Sequence, residues 1–259
     1  MTALIKQTLL QIITPSQYVA QSEAIFARMQ SAGSLPTAGR RTLIDTTVRK
    51  LIEAGIWPLG KALWVLRAET AIQASVNWIT PSASLLVPVN SPVFTANSGY
   101  TGDGVSAYIT TGFTPSSSSQ QAISGELVAG SNSAGGEIST NDTSSIFTLT
   151  LRNTAGTIFG TVQRTNGPTY SLPGSINPYI ATVSRGATAA RTLYLNGAIV
   201  GTNSTGTDTT AIAALNFLGQ PARSSYSVNT LGMAFITDTV TDTQAAAINT
   251  IFTAYRNGV

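Results

Sequence analysis

From residue 105 to 238 the sequence repeats one local pattern: short apolar runs separated by Gly, Asn and Ser. The runs are VSAYITTGF, AISGELVAG, SSIFTLTLRN, TIFGTVQR, YIATVSRG, RTLYLNGAIVG, AALNFLGQ and TLGMAFITD. In RTLYLNGAIVGT, Leu193 and Leu195 alternate with Thr192 and Tyr194, and Asn196-Gly197 follows. An Asn-Gly pair between such runs is a hairpin signal, because both turn residues take positive φ. Many short strands with turn residues between them predict an antiparallel sandwich or jelly roll rather than a parallel sheet. PSSSSQQ and GSNSAGGE are low-complexity pieces that fit surface loops of such a fold.

The ends differ from this middle. In the first seventy-five or so residues, Pro15 after Thr14 fits the first position of a helix, Tyr18, Ile25, Phe26 and Met29 fall on one face, and Gly33 is a stop. Ile44, Val48, Leu51 and Ile52 form a second stripe that ends at Gly55. Each amphipathic helix must bury its stripe against something. The stretch from Gly55 to Trp78 suits either a strand plus a helix or a longer irregular segment, with a short strand at Leu63–Leu66 preferred. Three prolines with Ser and Asn in residues 79–99 mark a connector. The organisation expected is a helical region over 1–92 and a β region over 93–259. At the far end Thr241 and Gln244 have capping-box spacing, Asp242 lies in the first turn, and Ile248, Ile251, Phe252 and Tyr255 make one stripe.

Composition excludes much chemistry. The sequence has no Cys and no His, so it holds no disulfide, Cys nucleophile, Ser-His-Asp triad or Cys/His zinc site. Only 10% of residues are charged, and Ser, Thr, Asn and Gly replace them, as in β-rich extracellular, fibrous or virion proteins. Residues 1–75 carry eight basic and four acidic side chains, the remainder six and seven. That basicity is too thin for a nucleic-acid footprint. MTALIKQTLLQIITP is a poor secretory signal and no run is long enough for a membrane span, so the expectation is a soluble protein made without export.

The order of parts from residue 99 onward resembles the laminin-G/concanavalin A-like lectin jelly rolls. The matching stretches are GYTGDGVSAYITTGF, LYLNGAIVGT, LNFLG and LGMAFITDTVTDTQAAAINTIFTAY. RTLIDTTVRKLIEAGIWPLGKALWVL ahead of such a domain is similar to virion proteins of tailed bacteriophages. The resemblance implies a mainly β jelly-roll sandwich with a helical N-terminal region and a closing C-terminal helix. It also implies a non-enzymatic structural or adhesive particle component: a tail fibre, head fibre or decoration protein. Its partners would be other virion proteins and sister subunits, and its place the virion, after synthesis in the host cytoplasm. No cofactor is implied.

Concanavalin A-like folds include glycoside hydrolases, which line one face with paired carboxylates. The acids of the β region are Asp103, Glu126, Glu137, Asp142, Asp208, Asp238 and Asp242, and no two alternate along a strand. Glu126 alone lies well inside a strand, and an edge or solvent-facing glutamate is preferred there over a catalytic one. Asp238 and Asp242 flank the last helix and fit capping. Asp103, Asn141 and Asp142 are weak calcium candidates, because a calcium site gathers six to eight oxygens and Asp in Gly-rich turns also simply forms the turn.

Glycan binding needs an aromatic face beside Asn, Asp or backbone hydrogen-bonding groups on loops. Asn166 with Tyr170, and Tyr226 with Asn229, have this make-up, and host surface glycan is the ligand they suggest. The alternative is that each ring packs on loop backbone with its hydroxyl in water. Assembly would bury apolar helix faces on a partner: Tyr18, Phe26 and Met29 from one helix, Ile44, Val48, Leu51 and Ile52 from the other. Trp57 and Trp64 either anchor the helices within the chain or contact a neighbouring subunit in a homo-oligomer.

Overall fold

The alternating runs form strands and the two apolar stripes form helices, as their periods dictate. The computed structural model describes residues 17–116, 120–133, 135–142, 147–163, 166–172, 177–186, 190–205 and 213–259. Thr14, Pro15 and Asp208, with parts of PSSSSQQ and GSNSAGGE, lie outside the described residues.

The helices are α1 (Ala20–Ser31), α2 (Ala38–Glu53), the single turn α3 (Ala71–Ala74) and α4 (Asp242–Asn257). The early strands are β1 (Gly60–Val65), β2 (Val87–Val89), β3 (Val93–Thr95), β4 (Gly99–Thr101) and β5 (Tyr108–Thr110). The middle ones are β6 (Gln121–Ala129), β7 (Ile138–Thr140), β8 (Phe147–Thr150), β9 (Thr157–Val162), β10 (Thr169–Ser171) and β11 (Tyr179–Arg185). The late ones are β12 (Arg191–Leu195), β13 (Ala198–Asn203), β14 (Leu215–Phe217), β15 (Gly219–Gln220), β16 (Ser225–Tyr226) and β17 (Thr230–Asp238).

Two antiparallel sheets face each other. The first runs β13-β12-β11-β6-β17-β4-β3, the second β10-β9-β8-β7-β14-β5-β2, and β15 and β16 form a small ribbon. β17 pairs along one edge with β6, while β4 and β1 share its other edge. Thus β1, from the N-terminal region, is a strand of the sandwich. Between the sheets lie Trp64, Ile123, Leu127, Phe147, Leu149, Tyr179, Val183, Phe217 and Leu231, among others. The hairpin between β12 and β13 turns at Asn196 and Gly197, whose φ values are 50° and 81°.

The outer face of the first sheet is not left to water. Leu63, Val65, Ile180, Tyr194, Met233 and Phe235 on that face pack with Ile25, Phe26, Met29, Ile44, Val48 and Leu51 of α1 and α2. Ile248, Ile251, Phe252 and Tyr255 of α4 complete this second core. Each such side chain, fully buried, contributes about 1.5–3 kcal/mol. The molecule therefore has three layers: helices, first sheet, second sheet. The capping box of α4 forms as expected, with Thr241 accepting from Gln244 N–H and Gln244 reaching back to Thr241 N–H. α2 is capped by Thr37, which accepts from Arg40 N–H.

This layer corrects the expected use of the stripes. Phe26, Met29, Ile44, Val48 and Leu51 are buried inside their own chain, because the first sheet offers them an apolar outer face, and Trp64 is buried between the two sheets, within the chain rather than at a subunit contact. Tyr18 and Trp57 are half-buried against the same core, and Ile52, 37% exposed, faces outward. Among the described residues no helix is long and apolar enough to cross a membrane.

Candidate functional site

One end of the sandwich is built from the stretches 102–107, 131–133 with 135–137, and 218–230. In the first, Asp103 Oδ1 accepts the backbone N–H groups of Val105, Ser106 and Ala107, each at 2.8 Å. These three bonds hold its carboxyl down at about 2, and they make Asp103 the former of its turn. Gly102 N–H and Gly104 N–H donate to Asn229 O and Ser227 O, so this turn lies against the third stretch. The two turns expose Val105 by 74% and Val228 by 40%.

Beside them stand two tyrosines. Gly219 pairs with Tyr226 across the β15–β16 ribbon. A Cβ at Gly219 would lie 2.8 Å from Tyr226 Cδ1 and 3.0 Å from Tyr108 Cβ, so only glycine lets these side chains close over the ribbon. Their ring centroids are 6.4 Å apart with planes tilted by 43°, and both residues are half-exposed.

A buried carboxylate locks this end from beneath. Glu137 Oε1 accepts Ser227 Oγ–H at 2.8 Å and Asn229 Nδ2–H at 2.7 Å, while Oε2 accepts Leu151 N–H at 2.5 Å. Burial pushes the Glu137 carboxyl up, against the pull of these bonds. Asn229 Oδ1 accepts Ser131 N–H at 2.9 Å, and Ser133 Oγ accepts Val228 N–H at 3.2 Å. The loops are thus tied to one another and to the second sheet.

The sequence candidates divide. Tyr226 stands at this surface, but Asn229 is fully buried and serves Glu137 and Ser131, which removes it as a ligand group. Tyr170 lies on β10 at one edge of the second sheet with its ring against the sandwich core, and Asn166 is exposed nearby in sequence. β5, which carries Tyr108, lies towards the opposite edge, so the two candidate pairs do not meet. Tyr108 had no local signal; it reaches Tyr226 only through the sheet.

The carboxylates are also placed differently from expectation. Glu126 is neither at an edge nor in solvent: it is 2% exposed beneath the helix layer, paired with Arg67 and Arg256. Burial pushes its carboxyl up, and the two guanidinium groups pull against that. Asp238 pairs with Lys61 at 2.7 Å, and Asp242 accepts the Tyr194 hydroxyl at 2.7 Å, while the cap itself is Thr241. Asn141 Oδ1 accepts Ala222 N–H at 3.0 Å, and the carbonyl of Asp142 accepts from Gln220. Among the described residues no three carboxylates gather as a metal-binding group.

No protein-family model and no curated protein matches this sequence. Solved structures share the fold. The botulinum neurotoxin serotype D binding domain superimposes with a TM-score of 0.52 at 10% identity, over 76% of this chain and 52% of that one. A botulinum neurotoxin type C structure, from a protein that interacts with two ganglioside molecules, gives 0.56 at 13%, over 78% and 53%. A mutant Trypanosoma rangeli sialidase displaying trans-sialidase activity gives 0.53 at 8%, over 84% and 40%. This chain therefore spans about half of each neurotoxin chain and less of the sialidase. The class defined is a mainly β antiparallel sandwich of the jelly-roll type, with helices before it and one closing it.

Proposed function

We propose that this chain is a non-catalytic recognition module that binds a surface glycan through the Tyr108–Tyr226 end of its sandwich. The observation that carries the reading is the half-exposed tyrosine pair over Gly219, beside exposed Val105 and Val228. Sugar rings present C–H faces that stack on such aromatics. The Glu137 anchor keeps the loops in place before a ligand arrives, which lowers the ordering cost of binding. The fold is one in which a ganglioside-interacting neurotoxin domain is built, and that supports the class of ligand. Glu126 and Glu137, the two strand-region carboxylates inside the fold, are both engaged by their own chain, which supports binding over hydrolysis.

The test is a glycan array probed with the full chain and with Tyr226→Ala. Saturable binding to a restricted set of glycans, weakened at least about tenfold by the substitution, is expected for an aromatic at the centre of a small site. Absence of binding to every glycan, or equal binding by the variant, overturns the reading.

The virion of a tailed bacteriophage is the proposed place of action, on the strength of residues 41–66 and their resemblance to phage particle proteins. With the helix stripes covered, docking to other virion proteins or to sister subunits falls to outward residues such as Leu35, Ile52 and Ile72. An antibody to this chain should label purified particles of the phage that encodes it; unlabelled particles count against this part.

A further inference from the structure

An exposed carboxylate stands beside the tyrosine pair. Asp103 Oδ1 accepts Ala107 N–H at 2.8 Å, and Ala107 is followed directly by Tyr108. Gly104, the next residue after Asp103, donates its N–H to Ser227 O at 3.1 Å, and Ser227 is preceded directly by Tyr226. The carboxylate thus touches the neighbour of one tyrosine, and its own turn touches the neighbour of the other. Its two oxygens are not alike. Oδ1 is occupied by three backbone N–H groups, whereas Oδ2 meets Ser106 Oγ at 3.3 Å and nothing else among the described residues. An ionised carboxylate oxygen accepts about two bonds, so Oδ2 keeps an open acceptor position on an exposed residue.

The charge is not balanced locally. Among the described residues no basic side chain pairs with Asp103, and its backbone bonds hold its carboxyl down at about 2. Arg223, in the turn between β15 and β16, is engaged by a group other than Asp103. Sugar hydroxyls donate to a carboxylate in charge-assisted bonds. The charged group of a sialic acid or a sulfate offers acceptors alone and brings a second negative charge to the same place. We propose, resting on the recognition reading above, that the tyrosine surface selects uncharged glycans, with a hydroxyl of the stacked sugar donating to Asp103 Oδ2. Asp103 is then the residue that discriminates against sialylated and sulfated forms.

The experiment measures binding of the full chain to neutral oligosaccharides, each printed beside its terminally sialylated form. In each bound pair the neutral member should win by at least about fivefold, the effect of one like charge a few ångströms away in water. That preference should shrink between about 0.01 M and about 1 M salt, as the screening length falls from about 30 Å to about 3 Å. Asp103→Asn keeps an Oδ1 for the three backbone N–H groups and replaces Oδ2 by an amide donor. It should weaken neutral glycans at least about tenfold and bring the two members of each pair close to equal. The salt series reads the same charge in the unaltered chain, whatever the folding of the variant. Equal or stronger binding of the sialylated members overturns the selection, while Tyr226→Ala still tests the tyrosine surface by itself. A preference that survives both high salt and Asp103→Asn overturns the role of Asp103. Binding that EDTA abolishes and calcium restores overturns it too, because a bridging cation inverts the local charge. Absence of binding to every glycan removes this selection together with the recognition reading.

Discussion

Arg67 Nε donates to Glu126 Oε2 at 2.8 Å, joining the strand exit of the N-terminal region to the middle of the first sheet. Arg256 of α4 donates to the other oxygen at 3.3 Å. Arg40 of α2 donates to Arg67 O at 2.8 Å, to the Tyr255 hydroxyl at 3.0 Å and to Asn97 Oδ1 at 2.7 Å. One buried carboxylate thus ties the helix layer and the sheet together. Glu126→Ala leaves two guanidinium groups facing each other without a counter-charge, and should cost about 3–5 kcal/mol. Arg256→Ala, which removes a partly exposed partner at longer range, should cost less. Urea unfolding monitored by tryptophan fluorescence measures both.

A chain begun at Ser91 would lack β1, α1 and α2. It would leave part of the β17 edge unpaired, remove Trp64 from between the sheets and bare the part of the first sheet's outer face that α1 and α2 cover. The expected result is a protein that binds hydrophobic dye and lacks a cooperative thermal transition. A folded monomer from this truncation would contradict the three-layer account.

Stability should fall on both sides of a weakly acidic optimum. Glu137 holds its proton in the folded state above the ordinary value of 4.5, chiefly because burial penalises the charge. The contribution is therefore complete below about 4.5 and is lost as pH rises through the folded value. Asp45 and Glu69 behave oppositely. Burial raises them, but the bonds from Arg49 and Val19 to Asp45, and from Thr37 to Glu69, more than offset it and leave both lowered. Their contribution is present above their ordinary values and is lost as pH falls. Glu137→Gln should flatten the alkaline decline and leave the acid one, read from urea midpoints between about pH 3 and 9.

Gly197→Ala tests the hairpin. Gly197 has φ 81°, and a Cβ there would lie 2.8 Å from Ala246 Cα of α4. Strain and overpacking together should lower stability by about 1–3 kcal/mol, seen as a lower thermal midpoint.

What the sequence made legible was local. The Asn196-Gly197 turn, the Thr241/Gln244 cap, the helix stops at Gly33 and Gly55 and the long strands each follow from neighbouring residues. Of the three-residue strands, β2, β3, β4, β7 and β10 were too short to show a period, while β5 and β14 lay within the longer apolar runs VSAYITTGF and AALNFLGQ. Glu126 looked solvent-facing because one face of an antiparallel sandwich is commonly wet. Nothing near it in sequence tells that α1, α2 and α4 cover that face. Asn229 and Tyr226 looked like one site for the same reason. Only the fold sends Asn229 inward to Glu137 and brings Tyr108 to Tyr226.

The most direct test of recognition without turnover is to incubate the full chain with the glycan it binds best and measure both binding and the mass of the recovered glycan. The account predicts saturable binding that Tyr226→Ala weakens, with every glycan molecule recovered at its original mass. Release of a sugar, or recovery without any binding, would contradict it.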